Sequence, residues 1–199
     1  MPVVRRRRGS RAARLGGDPV PSADPAEAVR PVDGPEAAGA DTASGAAVPA
    51  PEPEPLPDVA LDPGIFRAYD IRGVVGTQLT AQVAARIGQA IGSVMAEQGL
   101  TDIVVGRDGR LSGPDLVGGL IEGLRKAGRN VIDVGMVPTP VVYFAAYHLR
   151  AGSGVAVTGS HNPPDYNGFK IVVGGETLSG DAITGLYARI AEGRLHEAA

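Results

Sequence analysis

A hydroxyl, an imidazole and a primary amine fall close together in the run Thr158-Gly159-Ser160-His161-Asn162-Pro163-Pro164-Asp165-Tyr166-Asn167-Gly168-Phe169-Lys170. The residues before it, Ser153-Gly154-Val155-Ala156-Val157, are small and apolar. That pattern predicts a buried strand ending just ahead of Ser160. Ligands of open α/β sheets gather at such a place, outside the carboxyl ends of the strands. Pro163-Pro164 stops the turn from continuing as a helix, and Gly168 frees the backbone before the next apolar run, Phe169 to Val173. Ser160, His161 and Lys170 on one rigid loop supply a nucleophile, a base and a cation, a set suited to covalent group transfer. Ser, His and Asn also close turns by bonding their own backbone, so the triplet alone is compatible with a purely structural loop.

The complete string resembles the active-site loop of the α-D-phosphohexomutases, in their phosphomannomutase/phosphoglucomutase branch. Three further strings agree with that family in order along the chain. They are Phe66-Arg67-Ala68-Tyr69-Asp70-Ile71-Arg72-Gly73, Val105-Gly106-Arg107-Asp108-Gly109-Arg110 and Gly135-Met136-Val137-Pro138-Thr139-Pro140. The resemblance covers about residues 60 to 199. Any one of the shorter strings by itself would be weak.

The resemblance implies an isomerase that moves a phosphoryl group between C1 and C6 of mannose or glucose phosphates. It would do so through a phosphoserine at Ser160 and a bisphosphorylated sugar. Lys170 is then the general acid/base toward the sugar hydroxyl, Arg72 supports and orients it, and Tyr69 contacts the substrate. The implied metal is Mg²⁺, reached through the phosphate on Ser160. Glucose or mannose 1,6-bisphosphate is the implied activator and intermediate. Phosphoserine carries about −1.5 to −2 charge, so cations must surround it, and Lys170 and Arg72 have the right sign. Phosphoryl transfer depends chiefly on positioning and charge stabilisation. His161 keeps three readings: a bond to the phosphate, help in proton transfer, or fixing of the turn. Tyr69 keeps a second reading as an aromatic packed on the edge of the core. Arg107 and Asp108 are read as a structural ion pair or a loop anchor. His148 reads as an ordinary helix residue and His196 as an exposed terminal one.

The family's aspartate metal loop, sugar-recognition loop and C-terminal phosphate loop have no counterpart here, and no Asp-x-Asp-x-Asp occurs in the sequence. The resemblance is to the first domain of the enzyme alone. The expected partners are a hexose phosphate and the C-terminal domains of the same enzyme, and the chain by itself is expected to be inactive. The alternative is a catalytically inert or regulatory truncated mutase domain. A serine hydrolase would need the G-x-S-x-G elbow, but glycine directly precedes Ser160 and Asn162 stands where the closing glycine would be. The three histidines lack metal-ligand spacing, and the absence of cysteine excludes both disulfides and thiolate metal sites.

Composition divides the chain. Residues 1 to 60 hold 11 of the 17 prolines and no aromatic residue. They open with Arg5-Arg6-Arg7-Arg8, Arg11 and Arg14, then turn acidic. Such a stretch buries too little apolar surface to offset the entropy of ordering, so residues 1–58 are expected to form a disordered tail. The arginines have no neighbouring aromatic for base stacking and read as solvated charge, not as a nucleic-acid site. No apolar stretch is long enough to span a bilayer, and none follows the arginines as a secretory signal would require. A cytoplasmic protein with no membrane partner is expected.

Residues 59–199 must then position the chemistry. Thr80 can cap a helix with Val83, Ile87, Ala90, Ile91 and Val94 on one face, stopped by Gly99. Ile103 to Val105 reads as a buried strand. Ser112 can cap a helix carrying Leu116, Leu120 and Leu124, with Pro114 in its first turn and Gly128 at its end. Val131 to Val134 is the next strand, and Pro138-Thr139-Pro140 leads into a short helix with Val141, Phe144 and Ala145. Strands follow at 154 to 157 and 169 to 173, then a helix at 180 to 192. Alternating strands and helices predict an α/β, three-layer domain whose mixed, mainly parallel sheet lies between helices. The return from the serine loop is too short for a crossover, so the strand at 169 to 173 is expected to run antiparallel to its neighbour.

Overall fold

The computed structural model describes residues 60–198. The tail expected over residues 1–58 lies outside them. After a 3-10 turn at Pro63–Ile65 come β1 (Ile71–Val74), α1 (Ala81–Glu97), β2 (Asp102–Arg107), α2 (Gly113–Lys126) and β3 (Asn130–Met136). They are followed by α3 (Thr139–His148), β4 (Gly154–Val157), β5 (Tyr166–Val173), β6 (Glu176–Thr177) and α4 (Asp181–Ala191). β5 begins at Tyr166, earlier than its apolar run suggests. β1 is a strand the apolar pattern does not signal.

The sheet has the order β1-β5-β4-β2-β3, with β6 also on β5. β2 pairs in parallel with β3 and β4, whereas β5 is antiparallel to β4, β1 and β6. Every strand but β5 therefore runs the same way. The reversal at β5 is the one expected from the short return after Ser160.

Successive strand residues point to opposite faces, and both faces are covered here. Ile103, Val105, Val155 and Val157 pack with Ile87, Ile91, Leu120 and Leu124 of α1 and α2, and with Ile183 and Leu186 of α4. Val104 and Ala156, on the other face, pack with Val142 and Ala146 of α3. The result is the expected three-layer order.

The Thr80 hydroxyl caps α1 as anticipated, accepting from Val83 N at 3.2 Å. Ser112 makes no such bond to α2. Its hydroxyl instead accepts from the buried amide Nδ2 of Asn167 at 2.9 Å, tying the start of α2 to β5. α1 and α2 approach backbone to backbone. A Cβ on Gly123 would lie 1.9 Å from Ala85 O, and one on Gly119 would lie 2.1 Å from Ala81 O. Glycines at these places let the two helices sit closer than side chains would permit.

Residues after α4 return over α1 and α2. His196 N donates to Ser93 Oγ at 2.8 Å, and Gln89 Nε2 donates to His196 O at 3.1 Å. Ala198 N bonds Lys126 O, and the buried Lys126 ammonium meets Glu197 at 3.0 Å. The His196 side chain is exposed as expected, but its backbone is pinned.

Candidate active site

Ser160 stands three residues beyond the end of β4, exposed and with a positive φ of 50°. A serine in the left-handed region costs of order 1–3 kcal/mol and persists only where its surroundings fix it. Asp108, just after β2, supplies much of that fixing. Its Oδ2 accepts from the Thr158 hydroxyl and from Gly159 N, both at 2.9 Å, and its Oδ1 accepts from Arg110 N at 3.0 Å. The Thr158 hydroxyl oxygen in turn accepts from Ser160 N at 2.9 Å.

The reading of Asp108 as a loop anchor therefore holds, but its ion-pair partner is not Arg107. The Asp108 carboxylate meets Arg110 Nε at 3.7 Å, whereas Arg107 Nη1 reaches only the Asp108 backbone carbonyl, at 3.4 Å. Parallel pairing of β2 with β4 carries Asp108 alongside Thr158, too far round for its own neighbour to capture the carboxylate. Arg110 goes on to contact the loop itself, donating to the carbonyls of Ser160, Asn162, Pro163 and Tyr166.

His161 lies beside the nucleophile, with Nδ1 3.3 Å from Ser160 Oγ, and is exposed. Its three readings all remain compatible with that geometry. Asn162 closes the turn by donating Nδ2 to Gly159 O at 2.8 Å, and its Oδ1 accepts from Arg72 Nη1 at 3.2 Å. Arg72 comes from β1, opposite Gly168 of β5. That close pairing needs a glycine, since a Cβ at Gly168 would lie 2.2 Å from Ile71 O.

Arg72 also forks onto Asp70, with Nη2 3.1 Å from both carboxylate oxygens. Lys170, facing Ala156 in the next strand pair, places Nζ 3.3 Å from Asp70 Oδ2. Asp70 is only 6% exposed and bonds both cations at once. A series of side-chain contacts thus runs from Asn162 through Arg72 and Asp70 to Lys170, and Asn162 joins it to the serine loop through the carbonyl of Gly159, the residue before Ser160. Arg72 Nε is buried without a hydrogen-bond partner among the described residues.

Tyr69 stands apart from this series with its side chain in solvent, 76% exposed. The reading of it as an aromatic packed on the core does not hold. His148 ends α3, stacked on Phe144 with ring centroids 5.2 Å apart, as an ordinary helix residue. A cleft bordered by Val75, Asp108, Arg110, Leu111, Asn162 and Asp165 opens beside the serine loop.

Sequence reasoning gave no role to Asp70 and Arg110, and it read Asn162 as a turn former without its bond to Arg72. All three lie inside the strings that drew attention, but each also has a partner tens of residues away: Lys170 for Asp70, the serine-loop carbonyls for Arg110 and Arg72 for Asn162. A divalent cation finds no complete site here: among the described residues no group of three or more His, Asp or Glu side chains could hold one. Ser160 is the oxygen ligand this loop could contribute.

A family model described as phosphoglucomutase/phosphomannomutase, alpha/beta/alpha domain I, matches residues 63–197. A phosphomannomutase/phosphoglucomutase of Pseudomonas aeruginosa is 63% identical over 130 residues, which are 65% of this chain and 28% of that protein. A phosphoglucomutase of Neisseria meningitidis serogroup B is 57% identical over 126 residues, 63% of this chain and 27% of that protein. A crystal structure of a phosphoglucomutase/phosphomannomutase family protein from Burkholderia thailandensis superposes with a TM-score of 0.67 at 52% identity. It covers 70% of this chain and 32% of that one. The chain thus spans little more than a quarter of the length of the curated relatives it matches.

Proposed function

From the premise that this chain belongs to the phosphoglucomutase/phosphomannomutase family, as its domain I, we propose that Ser160 is the phosphoryl carrier of a hexose-phosphate mutase. The observation that carries the reading is the contact series that ties Arg72 and Lys170, through Asp70 and Asn162, to Gly159 at the base of the Ser160 turn. Two cations are thereby tied to the loop that carries an exposed hydroxyl beyond the end of a parallel strand.

In the proposed step the bond between phosphorus and Ser160 Oγ breaks as a bond forms to a sugar hydroxyl oxygen. The hydroxyl proton passes to Lys170 as general base, Ser160 Oγ takes up a proton from His161 or water as it leaves phosphorus, and Asp70 holds the resulting ammonium. Arg72 orients that carboxylate and adds charge near the transferring group, since such transfer depends on positioning and electrostatics. The reverse step, from the second phosphate of a glucose or mannose 1,6-bisphosphate, restores phosphoserine. His161 is placed to bond a phosphate on Ser160, and exposed Tyr69 is available to a sugar. Mg²⁺ would take a phosphoserine oxygen as one ligand, and its carboxylates would come from outside the described residues.

The substrate is proposed to be a mannose or glucose phosphate, the setting cytoplasmic, and the partners the C-terminal domains of the same enzyme, in keeping with relatives of which this segment is little more than a quarter. Among the described residues no helix is long and apolar enough to cross a membrane. The test is phosphopeptide mapping after incubation with glucose 1,6-bisphosphate. Phosphate on Ser160 is expected, and phosphate confined to another serine, such as Ser112 or Ser179, rejects the reading.

A further inference from the structure

We propose that Arg110 is the positioning residue of the serine loop, the cation on which the loop backbone is folded so that Ser160 faces outward. The inference rests on the reading of Ser160 as the phosphoryl carrier for its catalytic consequence, but not for its structural one.

A guanidinium carries five N–H donors in a fixed plane. In Arg110 the two terminal nitrogens meet four backbone carbonyls. Nη1 donates to Pro163 O at 2.5 Å and to Tyr166 O at 2.9 Å. Nη2 donates to Asn162 O at 2.7 Å and to Ser160 O at 3.2 Å. Nε, the fifth donor, faces Asp108 Oδ2 at 3.7 Å. Four carbonyl oxygens turned toward one point repel one another unless a cation with matching donors occupies it. Lysine, a single nitrogen with three donors, could not span the same set.

A second observation points the same way. A Cβ built on Gly159 would lie 1.7 Å from Arg110 Nε and 1.9 Å from its Cζ. The guanidinium therefore fills the place a Gly159 side chain would take, and any side chain there would expel it. The glycine ahead of Ser160 makes room for Arg110. Arg110 touches carbonyls, not the Ser160 hydroxyl, so its effect on chemistry runs through the loop's shape. Small errors in such placement cost rate steeply.

The experiment compares the full chain with Arg110→Ala, Arg110→Lys and Gly159→Ala. The first readout is amide exchange at Asn162 and Tyr166, whose N–H groups bond within the loop, with the amides of β4 and α1 reporting the fold. Arg110→Ala is expected to speed loop exchange about tenfold or more while strand amides stay protected. Millimolar free guanidinium should reverse this. Gly159→Ala should behave like Arg110→Ala, and Arg110→Lys should recover only part of the protection. Unchanged loop exchange, or full recovery with lysine, overturns the proposal. If Arg110→Ala unfolds the strands as well, Arg110→Lys and Gly159→Ala decide on the same criterion.

The second readout is the rate at which Ser160 gains phosphate from glucose 1,6-bisphosphate, followed by intact mass. A wild-type chain that never loads Ser160 counts against the phosphoryl-carrier reading, and the exchange data still decide Arg110. A wild-type chain that loads, matched by an Arg110→Ala chain loading equally fast, overturns the positioning role alone.

Discussion

The Asp70 carboxylate, nearly buried just ahead of β1, receives at 3.3 Å the Lys170 ammonium from β5, the neighbouring strand in the sheet, while its other contacts go to Arg72. One acid thereby fixes the two cations that the proposed chemistry needs. Asp70→Asn keeps the shape but removes the charge, leaving both cations to repel each other. Arg72 and Lys170 are about a third exposed, so solvent screens part of the loss, and about 1–2 kcal/mol of stability should go. Urea unfolding measures this. A midpoint equal to that of the wild type would show that Asp70 does not hold the pair.

Ser160 offers a test in which stability and chemistry separate. Its φ of 50° is retained in Ser160→Ala and relieved in Ser160→Gly. The glycine variant should be the more stable of the two by about 1 kcal/mol, before the extra entropy of an unfolded glycine reduces the difference. Neither should take phosphate from glucose 1,6-bisphosphate. Thermal melting and intact mass give the two readouts. A glycine variant clearly less stable than alanine would mean that the left-handed backbone is not strained.

Much of this architecture is legible in the sequence. Thr80, the leucines of α2 and the apolar run before Ser160 each mark an element because they obey local rules. The reversal at β5 follows from chain length alone. β1 escapes because Arg72 and Gly73 break its apolar period, and its pairing with β5 depends on Gly168, far along the chain. Ser112 is misread as a cap for a similar reason: Asn167 claims its hydroxyl, and local spacing carries no trace of that. The same holds for Asp108, whose partners Thr158 and Gly159 are brought to it by strand pairing and not by sequence adjacency. Propensity reveals elements, whereas polar side chains at their ends answer to neighbours that only the fold supplies.

The contact between α1 and α2 yields a paired prediction. A methyl group at Gly123 would strike the Ala85 carbonyl, a backbone atom that cannot swing aside, whereas Gly118 on the same helix has nothing within 4 Å. Gly123→Ala should lose about 2–3 kcal/mol, since overpacking outweighs the helix preference of alanine. Gly118→Ala should gain about 0.5–1 kcal/mol from that preference alone. Denaturant midpoints of opposite sign are expected. Two stabilising outcomes would mean that the helices are free to move apart.

Acid should loosen the segment after α4. The Lys126 ammonium bonds Glu197 and holds its carboxyl below the usual range, and Arg189 does the same for Glu97. A carboxyl with a lowered folded pKa contributes stability above its unfolded pKa, and that contribution is lost as pH falls through the folded value. Both carboxylates are exposed, so the effect is small and sensitive to salt. The Tm difference between wild type and Glu197→Gln should be present at neutral pH and close in acid. A difference that widens in acid would contradict the assigned partner.

The chain alone should turn over little or no glucose 1-phosphate, even with Mg²⁺ and activating bisphosphate. Ser160, His161 and Tyr69 all face solvent. Electrostatic stabilisation of a transferring phosphoryl group is strong only where water is excluded, and in the open it is screened. The described residues offer no cluster of carboxylates to hold a cation against the phosphate. They match relatives in which this segment is 28% of the protein or less, so the far end of the sugar has no assigned holder. Positioning supplies most of the catalysis in phosphoryl transfer, and an exposed hydroxyl with two cations supplies only one side of it. Loading of Ser160 could still proceed slowly, because it needs a single encounter with a bisphosphate and not a sugar that reorients between two transfers. Coupled conversion to glucose 6-phosphate is the assay. Turnover near an ordinary enzyme's ~10 per second by the purified chain would overturn the argument. Activity that appears only when the remaining domains of a relative are added would support it.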